Sequence, residues 1–224
     1  GLYFGNPISF SLLMPLMMVA WMAIEPVPSA AVRPPKLDYT MTTLDNGLKV
    51  VLLEDHSTPI VHLHLWYHVG SKNERAGRTG FAHLFEHMMF KGSKNVEPEQ
   101  HIALIAGLGG QTNAYTTEDM TVFWETAPSH ALPLALWLEA DRMATLRVDR
   151  STFLTEREIV KEERRMRVDN QPYGRLSELI YENAFSVHPY RHATIGSMSD
   201  LEAASVQKRM KDKAFARAVP RDHL

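Results

Sequence analysis

Apolar and polar positions follow two different periods along this 224-residue chain, and the switch between them separates strands from helices. Over Val61 to His68 the period is two, histidines alternating with apolar residues. The runs Thr40 to Leu44 and Lys49 to Leu53 flank Asp45-Asn46-Gly47, a strong hairpin signal, and Ile60 to Val69 is a third β-rich run. Around residue 80 the spacing becomes helical: Phe81, Leu84, Phe85, Met88 and Met89 cover a helix over residues 80 to 90 so broadly that it suits a buried position. Thr79 is the expected N-cap and Gly92 the left-handed terminator. Pro98 to Leu108 reads as a helix stopped by Gly109-Gly110, followed by strands over Gln111 to Thr116 and Thr121 to Glu125. Further helices are expected over Ser129 to Leu146, residues 150 to 170 and Gly174 to Phe185, with Asp149 or Ser151 capping the second. Ser199-Asp200-Leu201-Glu202 has the form of a capping box opening one more. Strands first and mostly helices afterwards predict an α+β fold, a mostly antiparallel sheet packed against helices. Trp66, Trp124 and Trp137 lie in apolar stretches and are expected in the core.

Length and composition add bounds. Residues 36–224 are expected to form one domain, with 203–224 an atypical tail that turns basic from Lys208 onward. A formal net charge of −2 gives no reason to invoke nucleic acid. Without cysteine there are no disulfides and no thiolate ligands, so any bound metal must rely on imidazole and carboxylate. Residues 1–35 differ from the rest. Ile8 to Ile24 is largely apolar and uncharged, and is followed by Glu25 and a proline-rich stretch with Ser29, Ala30 and Ala31. That pattern predicts a secretory signal and export to a periplasm or the exterior. A membrane anchor is the alternative, with Pro15 and the marginal length against a spanning helix.

The candidate chemistry sits in His83-Leu84-Phe85-Glu86-His87. On a helix His83 and His87 are one turn apart on one face, where neutral imidazoles can ligate one divalent ion. Glu86 lies beside them, placed to take a proton from water at the ion. A third ligand is needed. In the helix over 150 to 170, Glu158 and Glu162 read as a solvated face laced with ion pairs. Glu156 and Glu163 are two turns apart with Val160 between them, a stripe that can face inward, one ligating and the other supporting. His62, His64 and His68 also share a strand face, but without a carboxylate they read as solvent-facing or hydrogen-bonded to neighbours.

With these motifs in view, the chain resembles the inverted-motif zinc peptidases of family M16, the pitrilysin, insulinase and mitochondrial-processing-peptidase group. The resemblance runs from about Leu37 to about Leu201. It rests on Asp45 to Leu48, Thr79 to Gly92, Gly109 to Thr116 and Glu156 to Glu163, in that order. It implies one zinc per chain held by His83, His87 and Glu163, the last 76 residues after His87, with Glu86 as general base. It further implies that Glu156 supports the site from behind the ligands, and that Asn113 and Ala114 belong to the strand along which peptide substrate is laid. Members of the family work as paired domains closing on a peptide, so a second domain of the same type, here or on another chain, is an expected partner. A zinc endopeptidase subunit is therefore the leading expectation, and a non-catalytic scaffold of the same fold the alternative. Ligand types alone do not separate zinc from manganese or cobalt.

Overall fold

The computed structural model describes residues 36–205, so the expected export segment and the basic tail from Lys208 onward lie outside the described residues. Contacts divide the chain at Asp55 into two units. The described part of the first is the expected hairpin, β1 (Thr40–Thr43) antiparallel to β2 (Lys49–Leu52) with Thr40 opposite Leu52. Its turn needs glycine, because Gly47 adopts φ +87° while Leu44 N–H donates to Leu48 O across 2.9 Å.

The second unit runs β3 (Ile60–Tyr67), α1 (Phe81–Met88), α2 (Gln100–Gly107), β4 (Gln111–Thr116), β5 (Thr121–Pro128), α3 (Leu132–Thr145), α4 (Arg150–Arg164), α5 (Leu176–Ala184) and α6 (Met198–Glu202). The three strands form an antiparallel sheet in the order β3-β5-β4. Mixed helix and antiparallel sheet is the α+β class expected. The central strand carries the sheet core, with Val122 and Phe123 fully buried, and β4 is left as an edge.

Strand alternation sorts the side chains. Leu63, Tyr67, Ala114, Thr116, Phe123 and Glu125 point to the helix side, and His62, His64, Trp66, Asn113 and Trp124 to the other. This corrects one expectation. Trp66 is 64% exposed because it shares the outer face with His64, and Trp137 is 46% exposed because α3 turns Ala135, Leu138 and Arg142 inward instead. On the outer face His62 Nε2 meets His64 Nε2 at 2.5 Å and His62 Nδ1 meets Thr126 Oγ1 at 2.6 Å, a hydrogen-bonded pairing as expected; His68 lies beyond the strand end.

Helix α1 lies between the sheet and α4, and its Phe81, Leu84, Phe85 and Met88 are buried with Phe123, Phe153, Val160 and Leu201. Each such side chain contributes about 1.5–3 kcal/mol by leaving water. Asp149 caps α4 as expected, accepting from Thr152 N–H at 2.9 Å. The start of α1 differs from expectation. Thr79 does not cap it, because its N–H and hydroxyl both donate to Asp200 Oδ2, at 2.9 and 2.6 Å. The cap comes from Glu74, whose two carboxylate oxygens accept from Gly80 N–H at 2.9 Å and Ala82 N–H at 2.6 Å. Ser197, not Ser199, caps α6, accepting from Asp200 N–H at 3.1 Å. Here two backbones cross in contact: a Cβ on Gly80 would lie 2.5 Å from Ile195 O, and one on Gly196 2.5 Å from Gly80 N. Among the described residues no helix is long and apolar enough to cross a membrane.

Candidate metal centre

Helices α1 and α4 bring the predicted ligands to one point. Glu163 Oε2 lies 3.6 Å from His83 Nε2 and 3.3 Å from His87 Nε2. A four-coordinate zinc with bonds of about 2.0–2.2 Å separates neighbouring ligand atoms by roughly 3.2–3.6 Å, so both separations fit such an ion. The two imidazoles are nearly perpendicular, 82° apart with centroids 4.8 Å apart, so their nitrogens converge without the rings stacking. Of the two acidic residues on the inward stripe of α4, Glu163 reaches the imidazoles' Nε2 atoms. Glu156, 3% exposed, stands behind His87, its Oε2 3.5 Å from Nδ1. That carboxylate favours the Nδ1–H form of His87 and so leaves Nε2 with a free lone pair. The expected surface residues Glu158 and Glu162 are indeed exposed, paired with Lys161 and Arg165.

Charge is distributed unevenly. Burial, helped by repulsion from His87, pushes His83 down to about 4. Burial opposes the charge on His87 too, yet hydrogen bonds to Glu156 and Glu163 hold it up at about 9. The hydrogen bond to His87 holds the Glu163 carboxyl below its usual range, and Glu156 is lowered by His87 and Lys91 despite its burial.

Glu86, 9% exposed, accepts a 2.6 Å hydrogen bond from Thr116 Oγ1 at Oε2. Burial raises its pKa and the Thr116 hydroxyl partly offsets this, which suits a group that must both take and return a proton. Thr116 ends β4, the strand that also carries Asn113 and Ala114. Asn113 faces the outer side of the sheet and Ala114 the helix side, and Asn113 Oδ1 accepts from Ala114 N–H at 2.9 Å. Neither reaches the three ligand atoms through a side chain; what β4 offers is main chain along a free edge.

Four residues here were not read from the sequence. Thr116 was seen only as a strand end, and Glu74, Lys91 and Arg167 were not singled out. Lys91 Nζ lies 3.2 Å from Glu156 Oε1, and Arg167 NH1 lies 2.9 Å from Glu163 Oε1. A helical i, i+4 spacing of Glu163 to Arg167 was available as a signal; the others depend on contacts across the fold.

Two imidazoles and a carboxylate converging on one point, with a second, buried carboxylate beside them, form a site able to hold a divalent ion and to move a proton next to it. The chain belongs to the insulinase family of peptidases, family M16, whose model matches residues 49–197. The zinc protease PqqE of Helicobacter pylori is 37% identical over 165 residues, which is 73% of this chain and 37% of that protein. A crystal structure of a protease from Helicobacter pylori superposes with a TM-score of 0.76 at 35% identity, covering 78% of this chain and 42% of that one. The first half of the periplasmic protease PqqL from Escherichia coli gives 0.69 at 25% identity, covering 80% and 40%. This chain therefore spans about two fifths of the length of these relatives.

Proposed function

We propose that this chain is the metal-bearing domain of a zinc-dependent endopeptidase, with His83, His87 and Glu163 holding one zinc ion and Glu86 acting as general base. The observation that carries the proposal is the convergence of His83 Nε2 and His87 Nε2 on one oxygen of Glu163, at 3.6 and 3.3 Å. The zinc protease relatives support the choice of metal.

Zinc, when bound, supplies a Lewis acid that polarises the scissile carbonyl and acidifies water. The chain's own residues do the rest. Glu86, anchored through Oε2 to Thr116, keeps its other oxygen for the proton of the attacking water and returns that proton to the leaving amine. Glu156 orients His87, and Lys91 keeps Glu156 charged within its buried position. Peptide binds as an added strand along the free edge of β4 at Asn113 and Ala114, through main-chain hydrogen bonds. To pair there, Ala114 N–H must exchange its bond to Asn113 Oδ1 for one to substrate.

The chain covers two fifths of its relatives, and this favours a partner domain completing the peptide-binding chamber. Its working location would be outside the cytoplasm, as the apolar run from Ile8 to Ile24 suggests and as the periplasmic relative supports. The test is zinc content and cleavage of a fluorogenic peptide, measured for the chain alone and with a matching second half. Glu86→Gln should keep one zinc per chain while lowering turnover of the assembled protein by about 10²- to 10⁴-fold. Full zinc with equal, absent turnover in both forms would favour a scaffold. Robust cleavage by the isolated chain would remove the need for a partner.

A further inference from the structure

The carboxylate of Glu163 is divided between two tasks. Oε2 faces both imidazoles, at 3.6 and 3.3 Å, while Oε1 accepts from Arg167 NH1 at 2.9 Å. We propose that Arg167 is a positioning residue that holds Oε1 away from the ion, so that Glu163 binds through one oxygen and the fourth coordination position stays open for substrate. This rests on the zinc-site reading above and names a device that makes the site catalytic rather than closed.

Several features point to Arg167 rather than to its basic neighbours. The regular hydrogen bonding of α4 ends at Arg164, one residue past Glu163, and the chain continues as a wider π-type turn over Arg165–Asp169. Such turns occur mostly as single widened turns and often at functional sites. The turn sends the three arginines in different directions. Arg164 is buried against Glu178 and the carbonyl of Gly196, and Arg165 pairs with Glu162. Arg167 alone of the three meets Glu163. With Glu163, Ile159, Glu162 and Met166 it lines a cleft of about 340 Å³.

The geometry explains why an exposed arginine matters here. The Arg167 side chain is 76% exposed, so its ion pair contributes little to stability. Its effect is on choice of mode. A carboxylate with both oxygens free can chelate and raise the coordination number, closing the position that a hydrolytic site must keep open. A guanidinium donating to Oε1 makes chelation cost a charge-assisted hydrogen bond.

Cobalt(II) substitution reads coordination number directly and needs no peptidase activity. The wild-type chain should take up one cobalt with the intense visible bands of four-coordination. Arg167→Ala should keep that stoichiometry and its thermal midpoint but lose intensity by roughly twofold or more, as bands shift toward five-coordination. Arg167→Lys, which restores a donor, should recover most of it. An Arg167→Ala spectrum superimposing on wild type would overturn the inference while leaving the metal site standing. A wild-type chain taking up no cobalt would instead sink the site and the inference together.

Discussion

Two groups of histidine and glutamate occur among the described residues with three ligand atoms within 4.8 Å of one another, and they are built for opposite purposes. One is His83, His87 and Glu163, half-buried between α1 and α4. The other is His101, Glu125 and Glu139, fully buried between α2, β5 and α3. In the first, Glu163 Oε2 stands 3.6 and 3.3 Å from the two Nε2 atoms, separations that leave room for an ion. In the second, His101 Nε2 and Glu125 Oε1 are already joined by a hydrogen bond, and Glu139 receives both Nε–H, at 2.8 Å, and NH2 of Arg142.

Charge balance reinforces the difference. In the first group the cations stand outside the three donor atoms, Arg167 on the far oxygen of Glu163 and Lys91 on Glu156. The second carries two carboxylates and the guanidinium of Arg142, which lies 4.3 Å from the Phe123 ring centroid. A single shared proton makes it neutral, whereas a divalent ion would leave surplus positive charge in an apolar interior. Burial pushes His101 down to about 4 and Glu125 up, both shifts acting against separated charges in the interior. Donor atoms within reach of one another do not suffice for a metal site; the gaps between them must also be left unbridged.

The contrast can be broken most strongly at Arg142. Arg142→Ala strands Glu139 without its cation in the interior and should cost about 3–5 kcal/mol, read from the denaturant midpoint, with zinc content of the folded fraction unchanged. A small loss would show the second cluster to be accessible to water after all. Next in size, Glu163→Gln should weaken zinc binding by roughly 100-fold or more, beyond the effect of losing a supporting partner, whereas Glu125→Gln should leave stoichiometry at one. Two zinc ions per wild-type chain, falling to one in Glu125→Gln, would erase the distinction. The smallest effect is in the pH profile. His101 has a folded pKa of about 4, below its unfolded value near 6.5, so the unfolded chain binds the extra proton in that window. Stability from this group is therefore complete above about 6.5 and lost toward 4. Chemical denaturation across that range should show a shallower acid slope in His101→Gln than in wild type; equal slopes would locate the acid sensitivity elsewhere.

Much of this was written locally. The turn at Asn46-Gly47, the cap at Asp149 and the stop at Gly109 each depend on a few adjacent residues, and each was legible. The same holds for the spacing of His83 and His87 on α1 and of Glu156 and Glu163 on α4. That α1 and α4 pack together was not in any spacing; it followed from the family resemblance, while spacing alone left Glu156 and Glu163 as alternatives. The failures were nonlocal. Thr79 looked like a cap because capping is a short-range rule, but Asp200, 121 residues away, occupied both its donors. Trp66 looked like core because size and hydrophobicity suggest burial, yet strand alternation put it on the same face as His64. The buried pairing of His101 with Glu125 joins a helix to a strand, and no periodicity in either element announces it.

The crossing of Gly80 and Gly196 has a practical consequence for genetics. Neither position tolerates even a methyl group without moving the other's main chain. A residue more than a hundred positions downstream therefore sets where the histidine helix begins. Changes at Gly196 would therefore displace His83 and His87 from a distance, although that residue lies far from both in sequence, and only restoring the clearance at the crossing would rescue them.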